Sequence, residues 1–383
     1  MTFRRLVALV GLALVLVVPV GIRAAGTEDT NASSQAREGI YERAVVESVG
    51  LKTVEIMRGA EQLEAYRVRF LSGPLKGQTR DISGDVGANP YRIQPAVGDK
   101  LVIFMQSTTE GDWNLYVEGF DRRFPIIVLL LLFVLTLVLL SGWQGLKVAG
   151  SIIISVLLIG YVLIPLFLRG YNPVPAAILL SGVLTLISSG LSIGWNKKTV
   201  VTSIGTMGGA MVAYGIAYLF GNWAHMNGLS TEEDRQFFNK NPLLDPRGLL
   251  FAGIIVAAVG VVEDVAVSIA SAAAEVRKAN PNIRFRELFL SGMVVGREHM
   301  GALANTLIFA YVGGSLSTLL LYHQSGGSWL KFINFDVVVD EILRSLAGTI
   351  GLVFTVPITA LLSAWLLLRD KLIPRPSEIT PHD

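Results

Sequence analysis

Two adjacent carboxylates, Glu263-Asp264, sit inside an otherwise apolar run, FAGIIVAAVGVVEDVAVSIASAAA. An ionised acid in hydrocarbon costs roughly 2.5–3.5 kcal/mol on insertion scales, so one placed there binds an ion, carries a proton or is neutralised by a partner. If the run is a helix, Asp264, Ser268, Ser271 and Glu275 share one stripe through spacings of 4, 3 and 4. Glu263 points about 100° away from Asp264, toward a second polar surface or a water-filled cavity. A second polar knot, GREHMGALANT, opens the next apolar run, where Arg297, Gly301 and Asn305 repeat every fourth residue. Counted from the facing ends of two antiparallel helices, Asn305 and Asp264 lie at roughly 12 and 15 Å of depth, so an amide is expected to face the acid. This is the pattern of a small ion or solute site built from Asp264, Ser268, Ser271, Asn305 and Glu263. The alternative is purely structural: Asp264 is neutralised by Arg297, or bonded to Asn305 and Ser268, and ties two helices together. Arg297 and Glu298 are expected at the cytoplasmic boundary, as an ion pair or an electrostatic gate.

Such residues need helices that cross a membrane. Of 383 residues, 52% are hydrophobic and only 16% charged, and the apolar residues come in long runs. That clustering defines a polytopic α-helical membrane protein. Seven core spans are expected, at 124–140, 148–168, 174–193, 200–220, 249–274, 303–321 and 347–368. Each reaches across a hydrocarbon layer of about 30 Å. In an alternating scheme, thirteen Lys and Arg fall on one side: Arg4, Arg5, Lys147, Lys197, Lys198, Arg277, Lys278, Arg284, Arg286, Arg297, Arg369, Lys371 and Arg375. The other side has six: Arg169, Arg235, Lys240, Arg247, Lys331 and Arg344. The richer side is cytoplasmic. The seven spans show no internal repeat. Residues 280–295, with Phe285, Leu288, Phe289 and Met293 at helical spacing, are expected to form an amphipathic helix on the inner surface, a re-entrant segment being the alternative.

The N-terminal 1–26, with Arg4-Arg5 before an apolar run, is a signal peptide or an uncleaved signal-anchor helix. A polar linker follows at 27–39. Residues 40–121 carry short alternating segments broken by SGPLKGQ, SGDVGANP and AVGD, and are expected to form a small extracytoplasmic β-barrel-like, OB-like domain. There Tyr66, Arg67, Arg69, Lys76 and Arg80 are either a ligand face or the outward residues of solvated strands. The seven-helix domain covers 124–368 and a cytoplasmic tail 369–383.

With no cysteine and four scattered histidines, no metal centre, thiol nucleophile or cofactor is expected. Neither is an enzyme, since no Ser/His/Asp, HExxH or GxSxG pattern occurs. Gly205-Thr-Met-Gly-Gly-Ala lies inside an apolar run without a preceding strand, so it is a packing surface and not a phosphate loop.

Three stretches, DVAVSIASAAAEV, NPNIRFRELFLSGMVVGRE and GALANTLIFAYVGG, together resemble the YibE/F-like family of bacterial integral membrane proteins. The matching positions are Asp264, Ser268, Ser271, Asn280, Pro281, Ser291, Gly292, Gly296, Arg297, Asn305, Thr306 and Gly313. Glu298 stands where an Asp is usual, and Glu263 where an apolar residue is common. The resemblance implies a multi-pass protein of a bacterial cell membrane. The expected function is that of a transporter or channel-like protein for a small ion or solute, with the lipid bilayer as its surroundings and no nucleic acid as partner. The alternative is a membrane scaffold or sensor whose external β-domain binds a partner or envelope ligand.

Overall fold

The computed structural model describes residues 39–56, 59–83, 94–108, 112–324 and 328–369. The expected signal or anchor segment, nearly all of the linker and nearly all of the C-terminal tail lie outside the described residues. The chain divides into two compact units, one containing residues 18–136 and the other residues 137–383.

The first unit contains a curled antiparallel sheet of five strands, β1 (Ile40–Ile56), β2 (Gly59–Phe70), β3 (Thr79–Ser83), β4 (Lys100–Ser107) and β5 (Trp113–Phe120), in the order β3-β2-β1-β4-β5. Strand β1 is long because it serves two neighbours. Its start pairs with β4 and its remainder with β2, with a register shift between Val46 and Ser48. Alternation sends Ala44, Val46, Tyr66, Val68, Phe70, Leu101, Ile103 and Met105 into the core. The intervening arginines point outward into cross-strand ion pairs, Arg67 with Asp81 at 2.8 Å and Arg69 with Glu47 at 2.6 Å. Tyr66 is therefore core, and the arginines are side chains of a solvated face. The β2–β3 turn passes through Gly73 at φ 78°, a left-handed conformation that glycine adopts freely, where it packs against Glu42.

At the exit of β5, Asp121 accepts three hydrogen bonds from Arg123, at 2.6 and 2.7 Å from the guanidinium and 3.2 Å from the backbone N–H. The guanidinium hydrogen bonds, against the opposing effect of burial, hold the Asp121 carboxyl below its ordinary value.

The helices are α1 (Arg123–Leu158), a π-helical turn (Ile159–Leu163), α2 (Ile164–Leu168), α3 (Pro173–Ile193), α4 (Lys197–Trp223), α5 (Glu232–Lys240), α6 (Pro246–Ala279), α7 (Phe285–Gly314), α8 (Leu316–Gln324), α9 (Trp329–Ile333) and α10 (Asp336–Leu368). Among the described residues five helical runs are long and apolar enough to cross a membrane, and six if α7 and α8, bent by 60°, count as one broken span. The first two expected spans fall in a single run, Arg123–Leu168. Gly142, at φ 55° and ψ −132°, breaks its helical geometry, and the chain folds back so that Gly145 packs on the Leu137 carbonyl. The π turn immediately precedes Pro165, which lacks an N–H and crowds the preceding turn; widening that turn relieves both defects.

Helices α6 and α10 form the centre of the bundle, with α3, α4 and α7 packed around them. Residues 280–295 do not make a separate surface helix, and the 60° bend of α7 into α8 is that of a broken span or a re-entrant loop. Leu288, Gly292 and Gly296 are buried, and α7 runs on unbroken through them. The polar stretch holding Asp336, Asp340, Glu341 and Arg344, expected as a loop, is the first part of α10.

Helices approach closely where side chains vanish. A Cβ on Gly351 of α10 would stand 2.7 Å from the Gly209 carbonyl of α4, and one on Gly209 would stand 2.9 Å from the Gly351 carbonyl. This is small-residue packing, which lets backbones touch when lipid offers no hydrophobic drive.

Two outcomes follow from these contacts. Gly351→Ala lowers the thermal stability of the full chain in detergent by about 1–3 kcal/mol through overpacking, whereas Gly313→Ala, with nothing within 4 Å of the new Cβ, does not. The Asp121 contribution is present above the unfolded carboxyl value of about 3.9 and is lost as pH falls through the lower folded value. Asp121→Asn therefore costs about 1 kcal/mol at neutral pH in thermal unfolding and much less near pH 2.

Candidate functional site

Helix α6 buries Val262, Val265, Ala266, Ile269 and Ala270, and the two acids leave this face on different sides. Glu263 turns toward α3, where its Oε1 accepts a 2.9 Å hydrogen bond from Ser189 Oγ. Asp264 turns outward and is exposed, in one stripe with exposed Gly260 and half-exposed Ser271. Its carboxylate makes no hydrogen bond or ion pair among the described residues. Ser268 bonds the Asp264 backbone carbonyl at 2.8 Å and not the side chain.

The expected facing of Asp264 and Asn305 is not what the helices give. Ile269 packs on Gly292 and Gly296, with atoms 3.4 and 3.0 Å from where their Cβ atoms would stand. From that contact Asp264 lies about 8 Å along α6, whereas Asn305 lies about 14 Å along α7 in the same direction. Asn305 is also on the exposed side of α7. The bonded Thr306 hydroxyl goes to the Ala302 carbonyl at 2.9 Å.

Arg297, Glu298 and His299 are exposed as well. They are not at the end of their helix. Arg297 lies roughly 18 Å from the start of α7, and Val356, which packs on neighbouring Gly296, lies roughly 18 Å from the end of α10. His299 is held by its own helix, with Nδ1 2.9 Å from the Val295 carbonyl.

A polar set that sequence reasoning passed over lies on the buried side. Helix α3 buries Ser181, Thr185 and Ser189, α4 buries Thr199, Thr202, Ser203 and Thr206, and α10 buries Thr355, Thr359 and Ser363. Some are satisfied locally: Thr185 donates to the Gly182 carbonyl at 3.1 Å, and Thr355 to that of Gly351 at 2.9 Å. The hydroxyls of Ser181, Thr202, Ser203, Thr206, Thr359 and Ser363 have no hydrogen-bond partner among the described residues. Thr359 lies directly on Gly205, and Val262, beside Glu263, stands 2.8 Å from a Cβ built on Gly209. Thr206 and Thr359 therefore lie within about 5 Å of the level of Glu263, whereas Ser181 lies about 12 Å from Ser189 along α3 and Ser363 about 6 Å beyond Thr359. Buried polar groups are ordinarily satisfied, so the unpartnered Thr206 and Thr359 hydroxyls beside Glu263 are places for water or a ligand to bond. The signal was in the sequence as three four-residue repeats, Ser181/Thr185/Ser189, Thr202/Thr206 and Thr355/Thr359/Ser363.

A carboxylate with hydroxyl oxygens is a hard, oxygen-only donor set. It suits a proton, a hydrated or partly dehydrated alkali cation, or a small polar solute, and not a soft metal.

A second cluster lies toward the N-terminal ends of α6 and α10. Asp340 is buried and accepts a hydrogen bond from Ser230, with its other oxygen unpartnered among the described residues. Arg247 donates to Asn222 and lies over the Phe251 ring at 5.7 Å. A cavity of about 170 Å³ opens nearby, lined by Ile164, Phe167, Leu168, Pro173, Phe237, Leu244, Asp245 and Leu249. Along α6 it is roughly 21 Å from Glu263, and its wall is almost wholly apolar.

Comparison with curated proteins and with solved structures finds no match. The family model described as YibE/F-like protein matches residues 129–369, nearly all of the described helices, including Glu263, the buried hydroxyls and the α6–α7 motif. The β-sheet domain lies outside the match. A match over most of the chain establishes membership: the chain belongs to the YibE/F-like protein family.

Proposed function

We propose that this membrane protein is a transporter or channel-like protein for a small cation or solute, with Glu263 as the carboxylate of its pathway. The observation that carries the reading is the Glu263–Ser189 hydrogen bond near the buried Thr206 and Thr359 hydroxyls, two of six buried hydroxyls with no partner among the described residues. A helix-packing role for Glu263 alone would leave those hydroxyls unexplained, because each unmet buried polar group costs about 1–3 kcal/mol. Water or a passing ion satisfies them.

The same reading places seven crossings in a bacterial cell membrane, with 123–141 and 143–168 counted separately on either side of Gly142 and α7–α8 as one broken span. The excess of Lys and Arg on alternate loops supports cytoplasmic ends and an extracytoplasmic sheet domain. The strand order, with β3 and β5 at its ends, supports an OB-like barrel that closes between them. The mechanism needs no enzyme chemistry and no cofactor.

One observation favours the second reading, a scaffold or sensor. Tyr41, Phe104 and Tyr116 face one another across β1, β4 and β5, with ring centroids 5.0 and 6.3 Å apart, and both tyrosines are exposed. A row of aromatic rings on an open sheet face is a surface for stacking a ligand.

Flux through proteoliposomes holding the full chain separates these readings. Under the first, the protein conducts H⁺, Na⁺ or K⁺ down an imposed gradient, and Glu263→Gln lowers that flux by about tenfold or more, equivalent to about 1.4 kcal/mol in the barrier. Unchanged flux in Glu263→Gln removes the carboxylate from the pathway. Under the second reading no flux is seen, and Tyr41→Ala/Tyr116→Ala abolishes ligand capture. Thr206→Val is a further check. It lowers flux while leaving thermal stability unchanged or higher, since the hydroxyl it removes has no protein partner to lose.

A further inference from the structure

We infer that the outward faces of α6 and α7 form an interface with a second copy of this chain in the membrane, related by a twofold axis along the membrane normal. The inference is independent of what the protein transports.

Charge at mid-depth points to it. Asp264 on α6, a candidate membrane span, and Arg297 and Glu298 on α7, which with α8 passes the same test as a bent pair, are exposed, and none of them makes an ion pair among the described residues. Lipid chains cannot solvate them, and a charge left facing hydrocarbon is costly. Measured from the Ile269–Gly296 contact, Asp264 and Arg297 differ in depth by about 6 Å, within the reach of an arginine side chain. A twofold axis along the normal preserves depth, so it brings Arg297 of each copy to Asp264 of the other. Each copy supplies both signs, which makes the belt self-complementary and favours an identical partner over an unrelated one.

The surface around the charges is shaped for a helix. Gly260, one turn from Asp264, and Gly301, one turn from Arg297, are exposed, and a Cβ at either would meet nothing within 4 Å. Other exposed positions carry bulk, such as Leu179 and Phe354, although exposed Gly160 and Gly215 are open as well. Small residues flanking a charge allow the backbones of two copies to approach and exclude lipid from the pair.

Because the chain has no cysteine, single introduced thiols report on the interface directly. Gly260→Cys and Gly301→Cys chains, oxidised in intact membranes, are expected to give a disulfide-linked species of twice the chain mass, and Leu179→Cys is not. Added to Gly260→Cys, Asp264→Arg alone and Arg297→Asp alone each abolish most of the cross-linked band, and the two together restore it. A chain that stays monomeric with a thiol at both 260 and 301 overturns the proposal. So does a cross-linked product of any other mass, or failure of the exchange to restore the band while thermal unfolding shows the variants folded. If a single charge reversal prevents folding, the two glycine-to-cysteine chains decide the matter by themselves. None of these readouts involves flux, so the interface and the transport reading fail separately.

Discussion

The backbone contact between Gly209 and Gly351 is the constraint from which the rest of the bundle follows. With no side chain on either residue, α4 and α10 meet carbonyl to Cα, and Val262 of α6 packs at the same point. Three helices are thereby fixed at one level. The neighbouring positions on α4 and α10 must then be small, and Thr202, Gly205, Thr206, Thr355 and Thr359 fill them. Threonine is compact enough for these positions, but valine is as compact, so packing sets the size and not the hydroxyl, which brings hydrogen-bonding capacity into the core beside Glu263.

The helices were readable in the sequence where their ends carry chemistry. Asn172 and Asn196 cap α3 and α4 by accepting from Val174 and Lys198, and those two helices begin and end close to the expected 174–193 and 200–220. The reading failed where polarity was taken for a helix end. Arg284, Arg286 and Glu287 suggested a surface helix, and Asp340 and Arg344 a loop. Both stretches are instead the first turns of long helices, since Leu288 and Leu343 lie on buried faces that continue inward. In the sheet domain alternation was enough: the inward residues of β4, Leu101, Ile103 and Met105, are the apolar set that a period of two predicts.

The side of α6 that faces the bundle was harder to read, for a physical reason. In water, the apolar stripe of a helix points to the core. In a bilayer both the core and the lipid are apolar, so the pattern loses its direction. The direction is carried instead by size. Ala258, Ala266, Ala270 and Ala273 lie on the buried side with Val262 and Ile269, where neighbouring helices press closest. Polarity alone made Asp264, aligned with Ser268 and Ser271, the natural choice for an inward acid. Packing chose Glu263.

One helix turn thus carries two acids with opposite surroundings, and this ties them mechanically. Glu263 accepts a hydrogen bond of 2.9 Å from Ser189. A side-chain hydrogen bond stretched to about 3.6 Å is no longer one. Asp264 faces away on the same stiff backbone, so any sliding or rotation of α6 that seats Asp264 against a charge outside the bundle acts on the Glu263–Ser189 distance too. The converse also holds, since an ion or water drawn to the hydroxyls beside Glu263 bears on α6 from within. Of the two carboxylates, the inner one has the oxygen-rich surroundings that a cation or proton needs. The outer one stands where a neighbour can bias the position of that helix. Their adjacency in the chain is what allows one side of α6 to respond to the other.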